Sequence, residues 1–196
     1  MSWSHPLIFF SKSMVKFYCF HQTVQEYYER GKENLFPDIY GCPYSDCPYQ
    51  GRLRRHGFYP RNALTCLAYF RIFIQRYYCK ICKRTVSLLP TFLLPYFQYS
   101  LACIFFCLMR IIITHLPLEQ IAQKVNQISG RSELSHQHLV FYKKRFCENM
   151  PLIIGFFGSQ EVRTESVIRR IFQARFLEPF NLQYFQFQAH HFLAKS

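Results

Sequence analysis

Acidic residues are scarce in this sequence, and aspartate is the scarcest of them. Lys and Arg total 24 against 11 Asp plus Glu, and Asp38 and Asp46 are the only aspartates. Enzymes that transfer phosphoryl groups with two metal ions hold those ions on clustered carboxylates, which this chain is poorly equipped to supply. The sequence also lacks a Gly-rich phosphate loop, a nucleophile elbow and a His-Glu zinc-hydrolase motif. We therefore expect a protein that is not an enzyme.

The shortage of acid leaves a formal net charge of +13 at neutral pH. Such an excess is typical of proteins with a polyanionic partner, which is either nucleic acid or an anionic membrane surface. The chain is also rich in aromatic residues, with 22 Phe and 14 Tyr. Most of them supply core volume, and exposed ones offer flat surfaces on which bases stack.

Charged residues are absent between positions 85 and 109. A membrane-spanning helix needs about 20 mostly apolar residues. Pro90, Pro95 and Arg110 leave too short a span, so the pattern favours a buried globular helix over residues 100–115. A small membrane-associated protein whose apolar region at 97–118 inserts into lipid is the alternative.

Two segments before this region have a clear period. Residues 22–32 carry apolar side chains at helical spacing, with Thr23 as an N-cap and Gly31 at the stop. Residues 69–78 are rich in aromatic and β-branched side chains and predict a strand. Together with the turn-like sequence after Pro37, they indicate a short helix followed by a small sheet.

Further helices are predicted on either side of Gly130. Residues 118–125 repeat apolar side chains at helical spacing behind Pro117. Ser135 can cap a second helix, and the side chains predicted to face inward from it are Leu139, Val140, Tyr142 and Phe146. Two helices joined by a short turn with glycine form the helix-turn-helix pattern. One more amphipathic helix is predicted at 164–176.

Four of the nine cysteines fall in two close pairs. The chain shows no convincing secretory leader, so we expect reduced thiols and a cytoplasmic protein, in which clustered cysteines usually bind metal. Tetrahedral zinc takes two thiolates from each of two short turns. The sequence therefore predicts one structural zinc ion on Cys42, Cys47, Cys79 and Cys82.

Other interpretations of the cysteines stay open. The two pairs could be reduced cysteines in a small core, and His56 could replace one of the four as a ligand. Cys79 and Cys82 could also form a redox dithiol, although they lack the βαβ context of that chemistry. The remaining cysteines occur singly or on an apolar helix face, and we interpret them as buried and structural; they are Cys19, Cys66, Cys103, Cys107 and Cys147.

Between the two pairs, residues 51–61 interleave cations with aromatic side chains. This composition suits contact with phosphates and stacking on bases. The same sequence would also serve as the solvated rim of a hairpin. The choice between these two interpretations depends on the partner of the whole chain.

The order of these features resembles the zinc-ribbon and helix-turn-helix front end of bacterial insertion-sequence transposases and their stand-alone relatives. The resemblance covers about residues 22–150 and includes the segments 54–61, 74–85 and 88–96. It implies a double-stranded DNA partner, a homo-oligomer or transposase partner, and zinc on the four cysteines. We predict DNA contacts at Arg52, Arg54, Arg55, Arg61, His136, Gln137, Lys143, Lys144 and Arg145.

The resulting prediction is an α+β protein in which a small β zinc ribbon is followed by a mostly helical region. The predicted parts are an N-terminal segment at 1–37, the ribbon at 38–96, a helix-turn-helix region at 97–150 and a C-terminal segment at 151–196. The predicted function is non-catalytic, zinc-dependent DNA binding by a remnant or accessory of a mobile element.

Overall fold

A computed structural model describes residues 14–130, 134–157 and 164–172 of the chain. Predictions for residues 1–13 and for 173–196, which include the end of the last predicted helix, lie outside these residues. The fold is α+β, as predicted. Its strands are β1 (Met14–Tyr18), β2 (Arg54–Leu64), β3 (Tyr69–Tyr78) and β4 (Thr85–Pro90). Its helices are α1 (Val24–Arg30), α2 (Leu101–Ile113), α3 (Leu118–Ser129), α4 (His136–Glu148), α5 (Met150–Phe157) and α6 (Thr164–Phe172), and a 3-10 turn covers Gly31–Glu33.

The four strands form one sheet in the order β1-β4-β3-β2. The β2–β3 and β3–β4 pairs are antiparallel, whereas β1 runs parallel to β4 with Met14 opposite Val86. Strand β3 covers the predicted range. Strand β1 was not predicted. The ribbon was expected to begin at residue 38, but β1 adds part of the N-terminal segment to the same sheet.

Helix α1 packs on this sheet through one buried aromatic residue. Thr23 and Glu26 form a capping box, in which the Thr23 side chain accepts from the Glu26 N–H and the Glu26 carboxylate accepts from the Thr23 N–H. Tyr27 is fully buried and donates its hydroxyl hydrogen bond to the Phe73 carbonyl at 2.9 Å. The helix predicted at 22–32 is confirmed, with both of its predicted ends.

The described residues bury two hydrophobic clusters. One lies between positions 17 and 93 and is built on the sheet and α1. The other combines Leu64 with residues 94–168 and is built on the helices. The predicted boundary between ribbon and helical region, at 96/97, lies next to the change from one cluster to the other.

Helix α2 is the central element of the helical cluster. The Ser100 hydroxyl caps it by accepting from the Cys103 N–H at 3.3 Å, and eight of its thirteen residues are buried. It corresponds to the buried helix predicted at 100–115. None of the described helices combines the length and the apolar character needed to cross a membrane.

Helices α3 and α4 pack against α2 and against each other. Gly130 ends α3 in a left-handed conformation (φ 65°), as its position in the sequence predicts. Asn126 fixes the connection, because its side-chain amide donates to the Leu134 carbonyl at 2.8 Å and its oxygen accepts from the Leu134 N–H at 3.1 Å. One inward residue was predicted wrongly: Val140 is 43% exposed, since the buried stripe of α4 runs through Leu139, Tyr142 and Phe146.

We predict that Asn126→Ala destabilises the protein by about 1–3 kcal/mol, because it leaves both backbone groups of Leu134 without their partner. The free energy of unfolding from chemical denaturation measures the effect. Gln123→Ala is the control, since Gln123 is exposed on the same helix. Equal stability of the two variants would contradict the role given to Asn126.

Candidate metal centre

The first cysteine pair lies in a loop between α1 and β2 that folds back on itself. Leu53 donates to the Ile39 carbonyl at 2.8 Å, and Cys42 donates to the Tyr49 carbonyl at 2.7 Å. Gly41 has φ +74°, and a Cβ there would approach Gln50 Oε1 to 3.1 Å, so glycine suits this turn. These contacts bring Cys42 and Cys47 to one end of the sheet.

Four residues separate Cys42 from Cys47, which is a wide spacing for a zinc-binding turn. Tyr44 occupies the extra length, and its ring is buried. Its hydroxyl donates to the Thr85 carbonyl at 2.9 Å and accepts from the Met14 N–H at 3.0 Å. The loop is thereby tied to the first residues of β4 and β1.

The second pair occupies the turn between β3 and β4. Cys79 donates its backbone N–H to the Arg84 carbonyl, and Lys83 donates to the Cys79 carbonyl, both at 3.0 Å. Lys83 takes a left-handed backbone conformation with φ 59°. This tight turn directs the Cys79 and Cys82 side chains toward the first pair.

The four sulfur atoms all lie within 4.8 Å of one another. We call Cys42, Cys47, Cys79 and Cys82 the four-cysteine cluster. The Sγ atoms of Cys42 and Cys82 are 3.6 Å apart, and those of Cys47 and Cys79 are 3.7 Å apart. Each of these two contacts joins one loop to the other.

These distances fit a metal ion and not a disulfide. A disulfide bond is about 2.05 Å long, whereas a tetrahedron with metal–sulfur bonds of about 2.3 Å has sulfur–sulfur edges of about 3.8 Å. Cys47 and Cys79 are buried, and Cys42 and Cys82 are partly exposed. The cluster can therefore hold one metal ion and is compatible with zinc.

Hydrogen bonds to sulfur distinguish two of the four cysteines. The Tyr44 backbone N–H donates to the Cys42 sulfur, and the Arg84 backbone N–H donates to the Cys82 sulfur. Each donor lies two residues after its cysteine. Burial raises the pKa of Cys42 to about 12. Burial also acts to raise the pKa of Cys82, but hydrogen bonds from the Arg84 side chain and backbone outweigh it and lower the value to about 6.

Arg84 is the cation most closely connected with the cluster. Its guanidinium donates to Cys82 and to the Asp46 carboxylate and lies 3.8 Å from the centre of the Tyr44 ring. The hydrogen bond from Arg84 lowers the pKa of Asp46 below its ordinary value. A divalent ion on four thiolates carries a net charge of about −2, which this guanidinium would partly offset.

Cysteines outside the cluster differ in burial. Cys103 and Cys107 are buried, as predicted, and Cys19 and Cys66 are partly exposed. Cys147 is exposed, so the prediction of burial is wrong for it. It follows Phe146, the last buried residue of α4, and its side chain is exposed to solvent.

Among the basic residues predicted to contact DNA, those near the cluster are exposed. Asp38 pairs with Arg52 at 2.9 Å and with Arg55 at 3.6 Å, while Arg54 has no ionic partner among the described residues. Arg61 is placed differently: it lies at the far part of β2, and its guanidinium donates to the carbonyls of Leu94 and Phe97. Through these hydrogen bonds, Arg61 fixes the segment that precedes α2.

The other predicted DNA contacts lie on α4. The exposed ones are His136, Gln137, Lys143 and Lys144, and Arg145 is partly buried. His136 approaches Glu119 at 3.8 Å, and both Lys144 and Arg145 approach Glu148 at 3.9 and 2.9 Å. Gln137 and Lys143 have no ion pair within the part of the chain that the structure describes.

Sequence reasoning missed three residues of this arrangement. Arg84 and Tyr44 lie beside the four-cysteine cluster, and Asn126 ties α3 to Leu134. An Arg two residues after the last cysteine, and a Tyr inside the wide first spacing, were the available signals. Neither residue type indicates such a role without the turn geometry.

We predict that Arg84→Gln weakens metal affinity by about 10–100-fold, because it removes the side-chain hydrogen bond to Cys82 and a nearby positive charge. Competition with a chromophoric chelator measures the affinity. Lys80→Gln is the matched control, since Lys80 carries the same charge in the same turn but has its ammonium over the Tyr49 ring, 5.4 Å from the ring centre. An equal loss in both variants would point to net charge alone.

Comparison with known proteins adds a family of unassigned role. Residues 42–126 are similar to the family described as Domain of unknown function (DUF6431). The match begins at Cys42, includes all members of the four-cysteine cluster and extends through α2 into α3. No curated protein and no solved structure matches the chain.

Proposed function

We propose that this protein is a zinc-dependent, non-catalytic DNA-binding protein. The observation that carries the proposal is the convergence of four cysteine sulfurs within 4.8 Å at one end of the sheet. Four thiolates in a tetrahedron are the donor set of structural zinc sites, which leave no open position for a substrate. The metal would hold the turns of the ribbon, and the DNA would be bound by the protein surface.

The end of the sheet that carries the cluster also carries exposed cations. Arg52 and Arg55 share a single carboxylate, Asp38, and Arg54 carries an unshared charge. Lys80 and Lys83 extend this exposed positive surface beyond the second turn. Such a surface binds DNA phosphates without regard to base sequence, because its cations displace the counterions of the DNA.

Helix α4 supports the sequence-reading part of the proposal. A recognition helix of a helix-turn-helix contacts base edges with residues near its N-terminus. Gln137 lies in the first turn of α4, is exposed, and has the amide group that pairs with adenine. Lys143 and Lys144 lie further along the helix and are suited to phosphates.

The proposed membership in a mobile element follows from the resemblance to transposase front ends. The proposal includes no strand cleavage, because the chain has only two aspartates and both lie beside the first cysteine pair. Asp38 pairs with Arg52, and Asp46 pairs with Arg84. Two aspartates are too few for the three carboxylates that hold the two metal ions in the nuclease site of a full transposase.

We expect about one zinc ion per purified chain, and we expect Cys82→Ser to lose it and to unfold the ribbon. A domain this small gains much of its stability from the bound metal. Elemental analysis together with circular dichroism measures both effects. Cys147→Ser is the control because Cys147 is exposed and outside the cluster. Full zinc content in Cys82→Ser would remove the four-cysteine assignment.

DNA binding should weaken steeply as salt increases, and replacing Arg54 and Arg55 with Ala should make the log-log slope shallower by about two. Replacing Lys143 and Lys144 should have a similar effect. Gln137→Ala and His136→Ala should instead change the preference among sequences and leave the slope nearly unchanged. Fluorescence titration of duplex DNA at several salt concentrations distinguishes the two classes.

Two controls sharpen the DNA experiment. Arg71→Ala removes an exposed Arg from the end of the β2–β3 hairpin away from the cluster, so the slope should not change. Asp38→Asn should strengthen binding, because it removes the negative charge beside Arg52 and Arg55. Binding to anionic vesicles with negligible affinity for duplex DNA would overturn the proposal in favour of the membrane alternative.

A further inference from the structure

A second, separate arrangement of cysteines lies where the sheet meets the helices. Cys66 is in the turn between β2 and β3, and Cys103 is in the first turn of α2. Their Sγ atoms are 2.9 Å apart, in a hydrogen bond from Cys66 to Cys103, although the residues are 37 positions apart. Cys107, one helical turn later, contacts Cys103 from within the core.

This spacing differs from that of the four-cysteine cluster. Two ligands of one tetrahedral metal would be separated by about 3.8 Å, and the closest pairs of the cluster come near that value at 3.6 and 3.7 Å. The Cys66–Cys103 distance is only about 0.9 Å longer than a disulfide bond of 2.05 Å. The geometry is therefore that of a dithiol close to disulfide formation.

The backbone holds the two thiols in this position. Leu64 donates its N–H to the Gln98 carbonyl at 2.9 Å, and Ser100 donates its N–H to the Leu64 carbonyl at 2.7 Å. The turn itself is closed by Thr65, whose N–H and hydroxyl both donate to the Ala68 carbonyl. The end of β2 and the start of α2 are thus fixed to each other on either side of the pair.

The pair is reachable from solvent through a cleft. A cavity of about 660 Å³ is lined by both cysteines and by apolar side chains, including Val24, Phe70, Phe92 and Phe106. Its volume is within the range of about 300–1,000 Å³ that small-molecule sites have. Cys66 is partly exposed and Cys103 is buried, so a reagent in the cleft meets Cys66 first.

We propose that Cys66 and Cys103 form a thiol-modification site that small disulfides of the glutathione type oxidise to an intrachain disulfide. The Cys66 thiolate attacks one sulfur of the small disulfide, forms a mixed disulfide and releases one thiolate. The Cys103 thiolate then attacks the Cys66 sulfur and releases the second small thiol. The pair loses two electrons and two protons, and the small disulfide gains them as two thiols.

Charge stabilisation supports this order of attack. Once Cys66 is deprotonated, the Cys103 thiol can donate to it, and this hydrogen bond lowers the pKa of Cys66 against the opposing effect of burial. The hydrogen bonds with Cys107 and Cys66, together with burial, raise the pKa of Cys103. Cys66 is therefore the attacking thiol, and Cys103 resolves the mixed disulfide.

The test uses the full-length, zinc-loaded protein in an excess of oxidised over reduced glutathione, followed by alkylation and peptide mass spectrometry. We expect a Cys66–Cys103 linked peptide in most chains, with the loss of two hydrogen atoms and no loss of zinc. The oxidised protein should also melt at a higher temperature, because the bond restricts the unfolded chain. Cys147→Ser, which removes an exposed thiol, should leave the linked peptide unchanged.

Two variants separate the steps. Cys66→Ser should abolish the linked peptide and leave Cys103 alkylated, and it changes a turn residue that the fold does not bury completely. Cys103→Ala should accumulate the mixed disulfide on Cys66. Free Cys66 and Cys103 in the oxidised wild-type protein, or zinc loss before their bond forms, would overturn the proposal. The outcome is independent of DNA binding.

Discussion

The structure depends on bringing two distant turns together at one end of the sheet. Cys42 and Cys82 are 40 positions apart, yet their sulfurs approach to 3.6 Å. The turn between β3 and β4 is short and internally hydrogen bonded, so it can form locally. The loop before β2 folds back on itself through bonds such as that from Cys42 to Tyr49, and Tyr44 ties it to the strands. A metal ion at the cluster would connect this loop directly to the turn between β3 and β4.

The side chains around the cluster also contact the strands of the sheet. Tyr44 joins the first cysteine loop to β1 through Met14 and to β4 through Thr85, so its position sets how these parallel strands meet the loop. Arg84 lies over the Tyr44 ring and donates to Cys82. Loss of a bound metal should therefore disturb the edge of the sheet as well as the loop, since the same side chains serve both.

The sequence predicted the elements whose period is local. α1, β3, α2 and the turn at Gly130 all have caps, alternation or apolar spacing that a window of ten residues reveals. Strand β4 was missed because five of its six residues are buried, so an alternating pattern is absent and an uncharged run gives no period. Strand β1 was missed because its pairing with β4 spans some 70 positions, and such pairings leave no local mark.

The parts of the candidate site that have a local sequence pattern were also the ones that could be predicted. The cysteine spacing indicated the four ligands, because two short turns with paired thiols are a local pattern. The basic segment 51–61 was treated as one surface, but Arg54 and Arg61 lie opposite Tyr78 and Ile72, which are six residues apart on β3. Because a strand rises about 3.3 Å per residue, the two arginines lie about 20 Å apart. Arg61 consequently belongs to the junction with the helices, where it holds the carbonyls of Leu94 and Phe97. Only the three-dimensional register of β2 shows that Arg54 lies near the cluster and Arg61 at the junction with the helices.

The chain thus contains two groups of thiols in different chemical situations. In the four-cysteine cluster the sulfurs are spaced as the edges of a tetrahedron, so a metal ion would hold them as thiolates and keep them apart. At Cys66 and Cys103 the sulfurs are too close for such an ion and open to a cleft. An oxidant that meets the folded protein should therefore find the second pair more reactive than the first. The spacing of the sulfurs, and not their number, decides which chemistry each group can undergo.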